Sequence, residues 1–229
     1  MAVAGVVWAG SAHGQLTGQL GILDLEANGG INPATGVAWQ DGDTYRLVFF
    51  TSTTRDATSS DIADYNSFVQ NAANGSSLNL ASATWKAIAS TATANAIDNT
   101  STAPTEADYG VSVFLVDGTT LVATDYRDLW ASNAGGFTPV ALDNAIEKNE
   151  NGVFGSNVQV YTGTKSDQGG VKEGNGLGGA SGDPVFYGNN QFKDSRHTKQ
   201  GSSANTVLRS FYGISEPLQV TAPPAPFRL

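Results

Sequence analysis

The sequence predicts an α+β fold, in which a mostly antiparallel sheet carries one main helix and long loops. Residues 45–50 are largely apolar on both alternating faces, a pattern typical of a strand in the middle of a sheet. Apolar side chains then recur at intervals of three and four over residues 60–74, which indicates an amphipathic helix. Residues 111–116 and 120–123 flank Asp117-Gly118, which indicates a hairpin with a primed turn.

Composition limits the classes of protein to which the chain can belong. The 229 residues are 40% hydrophobic, enough for one sizeable core, and a formal net charge of −9 makes nucleic acid an unfavourable partner. There is no cysteine, so a bound metal ion would need hard oxygen ligands. No apolar run approaches the roughly 20 residues that cross a bilayer. The sequence therefore predicts neither a nucleic-acid partner nor a membrane span.

The elements before and within the main helix follow from local patterns. Residues 18–25 predict a strand of imperfect alternation, which leads through Gly- and Asn-rich turns into the strand at residues 45–50. Thr58 with Asp61 matches a capping box at the start of the helix. Asn74-Gly75 matches a left-handed stop at its end.

The segments after the helix alternate short strands with polar loops. Residues 85–88 predict a strand, whereas the Thr- and Asn-rich residues 90–107 are expected to bury little. After the hairpin, residues 126–130 predict one helical turn with Trp130 buried. The remaining expectations are a strand at 158–161, long ordered loops over 168–200, and final strands at 207–214 and 218–220.

The two ends of the chain are expected to lie outside the folded domain. Residues 1–14 hold a short apolar run followed by small residues, which fits a truncated signal peptide cleaved near residues 10–12. The run Val-Val-Trp is equally good strand sequence, so an N-terminal strand arm is the alternative. Residues 222–229 predict an extended, Pro-rich tail after a single domain at residues 15–221.

A series of short motifs gives the chain a resemblance to a known family. In chain order they are Thr-Ser-Thr-Thr, Asp-Ile-Ala, Thr-Trp-Lys-Ala, Asp-Gly-Thr, Asp-Leu-Trp, Glu-Asn-Gly, Tyr-Thr-Gly-Thr and Phe-Tyr-Gly-Ile-Ser, at residues 51–54, 61–63, 84–87, 117–119, 128–130, 150–152, 161–164 and 211–215. Their order resembles an exported bacterial cell-surface domain often found in proteins with a PEP-CTERM sorting signal. It also resembles a related domain of unknown function with a C-type-lectin-like fold.

The resemblance implies a C-type-lectin-like domain, secreted and associated with the cell surface, and it names no ligand. The chain departs from those relatives in two ways. It ends in Pro226-Phe-Arg-Leu229, where sorted relatives carry an apolar span and a basic tail. It also lacks the disulfides that lectin-like relatives often carry, so its fold must depend on the core alone.

Catalytic side chains are few in this sequence. A Ser-His-Asp arrangement would have to use His197 with Ser195 or Ser181, and a solvated loop histidine is the favoured interpretation of His197. Paired carboxylates for glycoside hydrolysis are available among Asp125, Asp128, Asp143, Glu147 and Glu150, but sequence does not give their separation. Trp39, Trp85 and Trp130 are interpreted as core residues rather than sugar platforms.

The densest acidic segment supplies the candidate ligand site. It offers side-chain oxygens from six residues: Asp143, Asn144, Glu147, Asn149, Glu150 and Asn151. Calcium prefers six to eight oxygen ligands, so this segment is a candidate Ca²⁺ site. The resemblance to lectin-like domains implies that a loop in this part of the chain can hold calcium and sugar. The alternative is a turn at Asn151-Gly152 with solvated acids, and no other cofactor is predicted.

Together these observations predict a non-enzymatic extracellular binding or adhesion module. Its expected ligand is an extracellular polysaccharide or matrix polymer. The alternative is a structural subunit of an extracellular filament or surface layer, which would associate with copies of itself by strand donation from the N-terminal arm.

Overall fold

The computed structural model describes residues 15–105, 107–130, 141–165 and 175–222, and shows a mixed α/β fold. Ten strands form one sheet. In chain order they are β1 (Thr17–Gly18), β2 (Thr44–Phe50), β3 (Trp85–Ala87), β4 (Ser112–Leu115), β5 (Leu121–Ala123), β6 (Gln159–Tyr161), β7 (Pro184–Asn189), β8 (Gly201–Ala204), β9 (Ser210–Ser215) and β10 (Leu218–Thr221). The helices in the described ranges are α1 (Ile62–Asn74), α2 (Ala96–Asn99) and α3 (Tyr126–Trp130), with 3₁₀ turns at Ala27–Gly30 and Ser195–His197.

Strand β2 is the centre of the sheet. On one side it pairs in parallel with β4, which forms the predicted antiparallel hairpin with β5. On the other side it pairs antiparallel with β9 and β10. Strands β3, β6 and β1 pair with the far side of β9 and β10, and β7 and β8 extend the sheet beyond β6. Only the β2–β4 and β6–β9 pairings are parallel, so the described sheet is mostly antiparallel.

Side chains alternate between the two faces of β2 and divide the core into two clusters. Tyr45, Leu47 and Phe49 face α1 and pack with aromatic residues of the neighbouring strands. Val48 and Phe50 face the opposite way, towards α2 and α3. Because both faces are covered, β2 is the buried central strand that its apolar sequence predicts.

The helix prediction is confirmed in its extent and wrong in both of its caps. Helix α1 begins at Ile62, because Asp61 is the N-cap and its carboxylate accepts a hydrogen bond from the amide of Ala63. Thr58 lies outside the helix and donates its hydroxyl to Asp56. At the other end Gly75 has φ −87°, so the helix ends without a left-handed residue.

Several segments differ from their predicted structure. Of the predicted strand at 18–25 only Gly18 lies in a strand, at the end of β1, although Leu20, Leu23 and Leu25 are buried. The polar residues 90–102 include fully buried threonines, because their hydroxyls bond to one another and to backbone carbonyls.

The turn of the hairpin and the loop region expected at residues 168–200 also differ from their predicted structure. Asp117 is absent from the residues with positive φ, so the turn is not primed, and its carboxylate instead accepts from the amides of Thr119 and Thr120. The expected loop region at 168–200 contains strand β7 in its described part.

The predictions for residues 1–14 and for the tail after residue 222 concern segments outside the described residues. In the part of the chain that is described, no helix has the length and apolar character to cross a membrane.

Candidate functional site

A polar pocket opens where the strand pairing of β2 changes partner. The register between β2 and its neighbour shifts by one residue between the pairs Tyr45–Leu218 and Val48–Ile214, so the connection from β9 to β10 holds one extra residue. Such a bulge bends the strand and exposes groups that a regular ladder would cover. The space beside it has a volume of about 460 Å³. We call it the Arg46 pocket; its walls include Thr44, Arg46, Lys86, Ser101, Asp108, Gly110, Tyr126 and Glu216.

Arg46 is the most deeply buried charge in this pocket, with 3% of its surface exposed. Its Nη1 donates to the carbonyls of Thr100 and Ser215, each at 2.9 Å. Its Nε donates to the hydroxyl of Tyr126 at 2.8 Å, and its Nη2 donates to the carbonyl of Ser101 at 3.2 Å. The acceptors belong to strand β9, to the loop after α2 and to helix α3, so the guanidinium is held in one orientation.

The bulge itself helps to hold Arg46. Ser215 is fully buried, and its hydroxyl accepts from the amide of Leu47 at 3.0 Å. That bond satisfies an amide next to the point where the ladder is interrupted. The Ser215 carbonyl is thereby directed to the guanidinium of Arg46.

A strained loop supplies two further carbonyls. Ser101 has φ +54°, a left-handed conformation that a serine adopts at a cost of about 1–3 kcal/mol. Next to it, the Thr100 hydroxyl donates to the Ala96 carbonyl and shares a hydrogen bond with Thr102. Trp130 Nε1 donates to the same Thr102, so α2, the loop and α3 form one buried polar network.

Tyr126 forms one wall of the Arg46 pocket through a close approach to Gly110. Gly110 has φ +82°, and a Cβ added there would overlap the Tyr126 ring. The residue must therefore be glycine both for its backbone conformation and for space. The ring also lies 5.2 Å from the Arg46 guanidinium carbon, which adds a cation–π contact to the hydrogen bond.

The rim of the pocket carries both signs of charge. Lys86 and Glu216 line it, and neither side chain has an ion-pair partner among the described residues. Asp108 also lines it and accepts from the amide of Gly110 at 2.7 Å. The pocket thus offers hydroxyls, carbonyls, two cations and two carboxylates around one aromatic wall.

This set of groups is suited to binding a polar molecule. No histidine or cysteine occurs among the residues that line the Arg46 pocket in the described chain. Its serine and threonine hydroxyls therefore lack the histidine partner of a Ser-His-Asp arrangement. Its walls are polar, unlike those of most pockets for drug-like ligands.

The first two residues of the predicted acidic segment form hydrogen bonds at the β5 strand of the hairpin. Asp143 accepts from the Thr124 hydroxyl at 3.2 Å, and its backbone carbonyl accepts from Lys193 Nζ at 2.9 Å. Asn144 donates to the Leu121 carbonyl at 2.8 Å. Both side chains are exposed and cover the edge of β5.

The other four residues of that segment form hydrogen bonds within and beside a separate loop. Glu150 is buried, and its carboxylate accepts from the amide and hydroxyl of Ser52. Asn149 accepts from the amides of Asn151 and Val153, while Asn151 accepts from the amide of Ser77 at 2.8 Å. Glu147 is half-buried, and its backbone carbonyl accepts from the amide of Gly155.

The six oxygen-bearing side chains thus bond to two different parts of the fold, the hairpin and the loop at residues 147–155. Within the described ranges, no group of three or more His, Asp or Glu side chains is placed to hold a metal ion. Most of the oxygens of Asn149, Glu150 and Asn151 are already occupied by protein donors, which explains the acidic cluster as loop stabilisation. Calcium binding there stays a prediction.

The remaining carboxylates of the paired-acid hypothesis are grouped around α3. Asp125 accepts from the amide of Arg127 at the start of the helix and forms an ion pair with its guanidinium. The pKa of Asp128 is raised, first by burial and then by the nearby charges of Asp125 and Asp143. Asp125 is thus committed to Arg127 and to the helix start.

The interpretation of His197 as a solvated loop residue is wrong. Its side chain is 2% exposed, and Nδ1 lies 2.8 Å from the carbonyl oxygen of Asp194. Burial lowers the pKa of this imidazole, although the carbonyls of Asp194 and Leu129 act in the opposite direction. Ser195 is half-buried in the same 3₁₀ turn and Ser181 is exposed elsewhere, so the histidine is a buried structural group.

Sequence reasoning missed the Arg46 pocket, whereas its interpretation of the tryptophans is confirmed. Trp39, Trp85 and Trp130 are all buried in the core. The available signal for the pocket was a charged residue within an otherwise apolar central strand, since charged residues are seldom buried without a partner.

No protein-family model matches the chain, and no curated protein matches it either.

Proposed function

We propose that this chain is a non-enzymatic carbohydrate-binding module of an exported, cell-surface protein, and that the Arg46 pocket receives the sugar. Its ligand is then part of an extracellular polysaccharide or matrix polymer. The observation that carries the proposal is a preformed polar pocket of about 460 Å³, whose walls are held by a buried hydrogen-bond network. That volume lies within the range of about 300–1,000 Å³ typical of ligand pockets.

The chemistry of the walls favours a sugar over an apolar ligand. A sugar ring presents many hydroxyls, which need both donors and acceptors, and the pocket supplies the carboxylate of Glu216, the ammonium of Lys86 and the hydroxyls of Thr44 and Ser101. The ring of Tyr126 adds an aromatic surface. Binding rather than turnover is proposed because the lining side chains include no paired nucleophile and base.

The proposal includes a C-type-lectin-like fold and a PEP-CTERM-like cell-surface origin. A mostly antiparallel sheet, one long helix and extended connecting loops support that fold, as do the ordered motifs of the sequence. Export is supported by the neutral Ser-, Thr- and Asn-rich composition.

The test is to block the Arg46 pocket with a bulky residue that leaves the fold intact. Ala103 is exposed and lines the pocket, so Ala103→Trp should fill it. Ala63→Trp, on the exposed side of α1, is the matched control. A panel of neutral and acidic oligosaccharides would be titrated by calorimetry against both variants and the parent chain.

We expect at least one sugar to bind the parent and the control, and Ala103→Trp to lose that binding. Binding that survives in Ala103→Trp would move the site elsewhere on the molecule. A panel in which no sugar binds the parent chain would overturn the carbohydrate proposal.

A structural subunit is the second candidate, favoured by one observation. Strand β8 forms the end of the sheet and pairs only with β7 within the described chain, and its sequence Gly-Ser-Ser-Ala has no charge to discourage a further strand. Electron microscopy of the full chain and of Ser202→Lys would test this role. Filaments that disappear in the variant would support it, and a monodisperse monomer at high concentration would exclude it.

A further inference from the structure

The Arg46 pocket contains a buried positive charge without a negative partner. Arg46 is almost fully buried, yet the described part of the chain places no carboxylate within ion-pair distance of it. The chain has 21 acidic residues, so the lack of a partner does not reflect a shortage of acids. Buried charges are normally paired, since removal from water is costly and neutral partners compensate only in part.

The hydrogen bonds of Arg46 leave one donor unused. A guanidinium has five N–H groups. Four of them donate to the carbonyls of Thr100, Ser101 and Ser215 and to the hydroxyl of Tyr126, all of which are neutral. One hydrogen on Nη2 has no acceptor among the described residues. The four bonds fix the plane of the group before any ligand arrives.

The backbone around Arg46 is shaped so that its carbonyls accept from the guanidinium. The left-handed Ser101 directs its carbonyl to Nη2, and the bulge directs the Ser215 carbonyl to Nη1. The left-handed Ser101 also ends α2, since the amide of Thr102 donates to the carbonyl of Ile97. The end of α2 and the bulge therefore fix the carbonyls that surround the guanidinium of Arg46.

We propose that the ligand of the Arg46 pocket carries a carboxylate, as in a uronic-acid sugar, and that Arg46 is the residue that recognises it. This inference rests on the proposed function, because it names the class of sugar that the pocket binds. The carboxylate supplies the missing charge and accepts from the free Nη2 hydrogen. Lys86 is the second cation of the pocket and attracts the same group.

The two carboxylates on the rim restrict where the acid group can lie. Glu216 and Asp108 repel a second negative charge, so the ligand carboxylate is directed to the inner part of the pocket where Arg46 lies. Their oxygens remain as acceptors for the sugar hydroxyls. An acidic protein can thus select an acidic sugar through one local site rather than through its overall charge.

The decisive experiment compares each uronate oligosaccharide with its own carboxyl-reduced form. Oligogalacturonate, oligoalginate and hyaluronan fragments would be titrated calorimetrically into the full chain at low and high salt. We expect at least one acidic form to bind about tenfold or more tightly than its reduced form. Raising the salt should weaken the acidic form selectively.

Two rim variants test the charge of the ligand from opposite directions. Lys86→Gln should weaken binding of the acidic form about two- to fivefold, and Glu216→Gln should strengthen it by a similar factor, because exposed charge pairs contribute modestly. Lys148→Gln and Glu26→Gln, which do not line the pocket, are the matched controls. Both rim residues are at least partly exposed, so these variants should fold.

The possible results separate the two proposals. If a sugar and its reduced form bind equally, or if both rim variants change affinity in the same direction, the inference about a carboxylate falls while the carbohydrate proposal stands. If no sugar of either form binds, the proposed function falls and takes this inference with it. Acid-selective binding with opposite effects at Lys86 and Glu216 would establish both.

Discussion

The two faces of the sheet are built from the same strands and differ in what they bury. The face that carries α1 buries an aromatic cluster in which Phe211 contacts Tyr65, Phe68 and Tyr161. The half-buried Arg55 and Arg209 stack on rings of this cluster. The opposite face has an apolar centre but ends in the Arg46 pocket. It also buries the imidazole of His197 and a row of threonine hydroxyls.

The two faces therefore differ in what their packing provides: apolar burial on the α1 face favours stability, and oriented polar groups on the opposite face suit recognition. Apolar burial on the α1 face supplies free energy of folding without directional requirements. Polar burial on the opposite face demands a partner for each group and therefore fixes geometry at some energetic cost. A binding site benefits from the second kind of packing, because its groups must be oriented before the ligand arrives.

Truncation of the aromatic cluster should produce the largest effect. Phe211→Ala should lower the free energy of unfolding by about 3–5 kcal/mol, since the side chain is fully buried among other rings. Phe68 lies at the edge of the same cluster and is only half-buried, so Phe68→Ala should cost clearly less. Urea titrations of both variants would measure the difference. Equal costs would mean that the α1 face has no distinct centre.

The opposite face should be most sensitive at Gly110. Gly110→Ala should cost about 2–4 kcal/mol, because the new Cβ combines an unfavourable φ with overlap of the Tyr126 ring. Gly36 has a similar φ of +71° and open space around it, so Gly36→Ala should show the backbone cost alone, about 1–2 kcal/mol. Thermal unfolding would compare them. Identical melting temperatures would show that Tyr126 is free to move.

The sequence predicted the apolar elements of both faces far better than the polar segments. Strand β2, helix α1, the hairpin and the helical turn at Trp130 follow from apolar periodicity, which reports burial directly. Strand β8 was missed because Gly-Ser-Ser-Ala has no large apolar side chain to bury. Strand β7 was assigned to loops because glycines and asparagines surround its short apolar run.

The site could not be predicted because its parts meet only through long-range pairing. Arg46 is held by residues 54, 80 and 169 positions away along the chain, namely Thr100, Tyr126 and Ser215. The bulge that creates the opening depends on a register between two strands, which no local pattern reveals. The acidic segment attracted attention because its oxygens are adjacent in sequence, yet the folded loop uses them internally.

Acid should weaken the opposite face through His197. Its pKa is lowered by burial below the ordinary value of 6.5, so between that lowered pKa and 6.5 the unfolded chain binds a proton that the folded chain excludes. The contribution to stability is full above about pH 6.5 and is lost as the pH falls below it, by at most about 1.4 kcal/mol per pH unit.

Urea unfolding of the parent and of His197→Asn between pH 7.5 and 5.5 would isolate that contribution. The asparagine amide can still donate to the Asp194 carbonyl but does not titrate. We expect the parent to lose stability over this interval relative to the variant. Parallel curves would show that His197 can be protonated without cost in the folded state.

The smallest expected effect comes from one hydroxyl on each face. The Tyr212 hydroxyl is fully buried on the face opposite α1 and has no hydrogen-bond partner among the described residues, and burial raises its pKa. Tyr212→Phe removes a polar group that loses its water on folding and gains nothing in return, so the free energy of unfolding should rise by about 1 kcal/mol. Tyr45 is the matched residue on the α1 face, and its hydroxyl also lacks a hydrogen bond of good geometry among the described residues. Burial raises the pKa of Tyr45 to about 12, and the amides of Gln19 and Leu20 near its hydroxyl partly offset that effect. Tyr45→Phe should therefore change stability less than Tyr212→Phe. If Tyr212→Phe instead destabilises the chain in urea titrations, its hydroxyl has a partner in solution, such as a buried water, and the polar network of that face extends to the centre of the sheet.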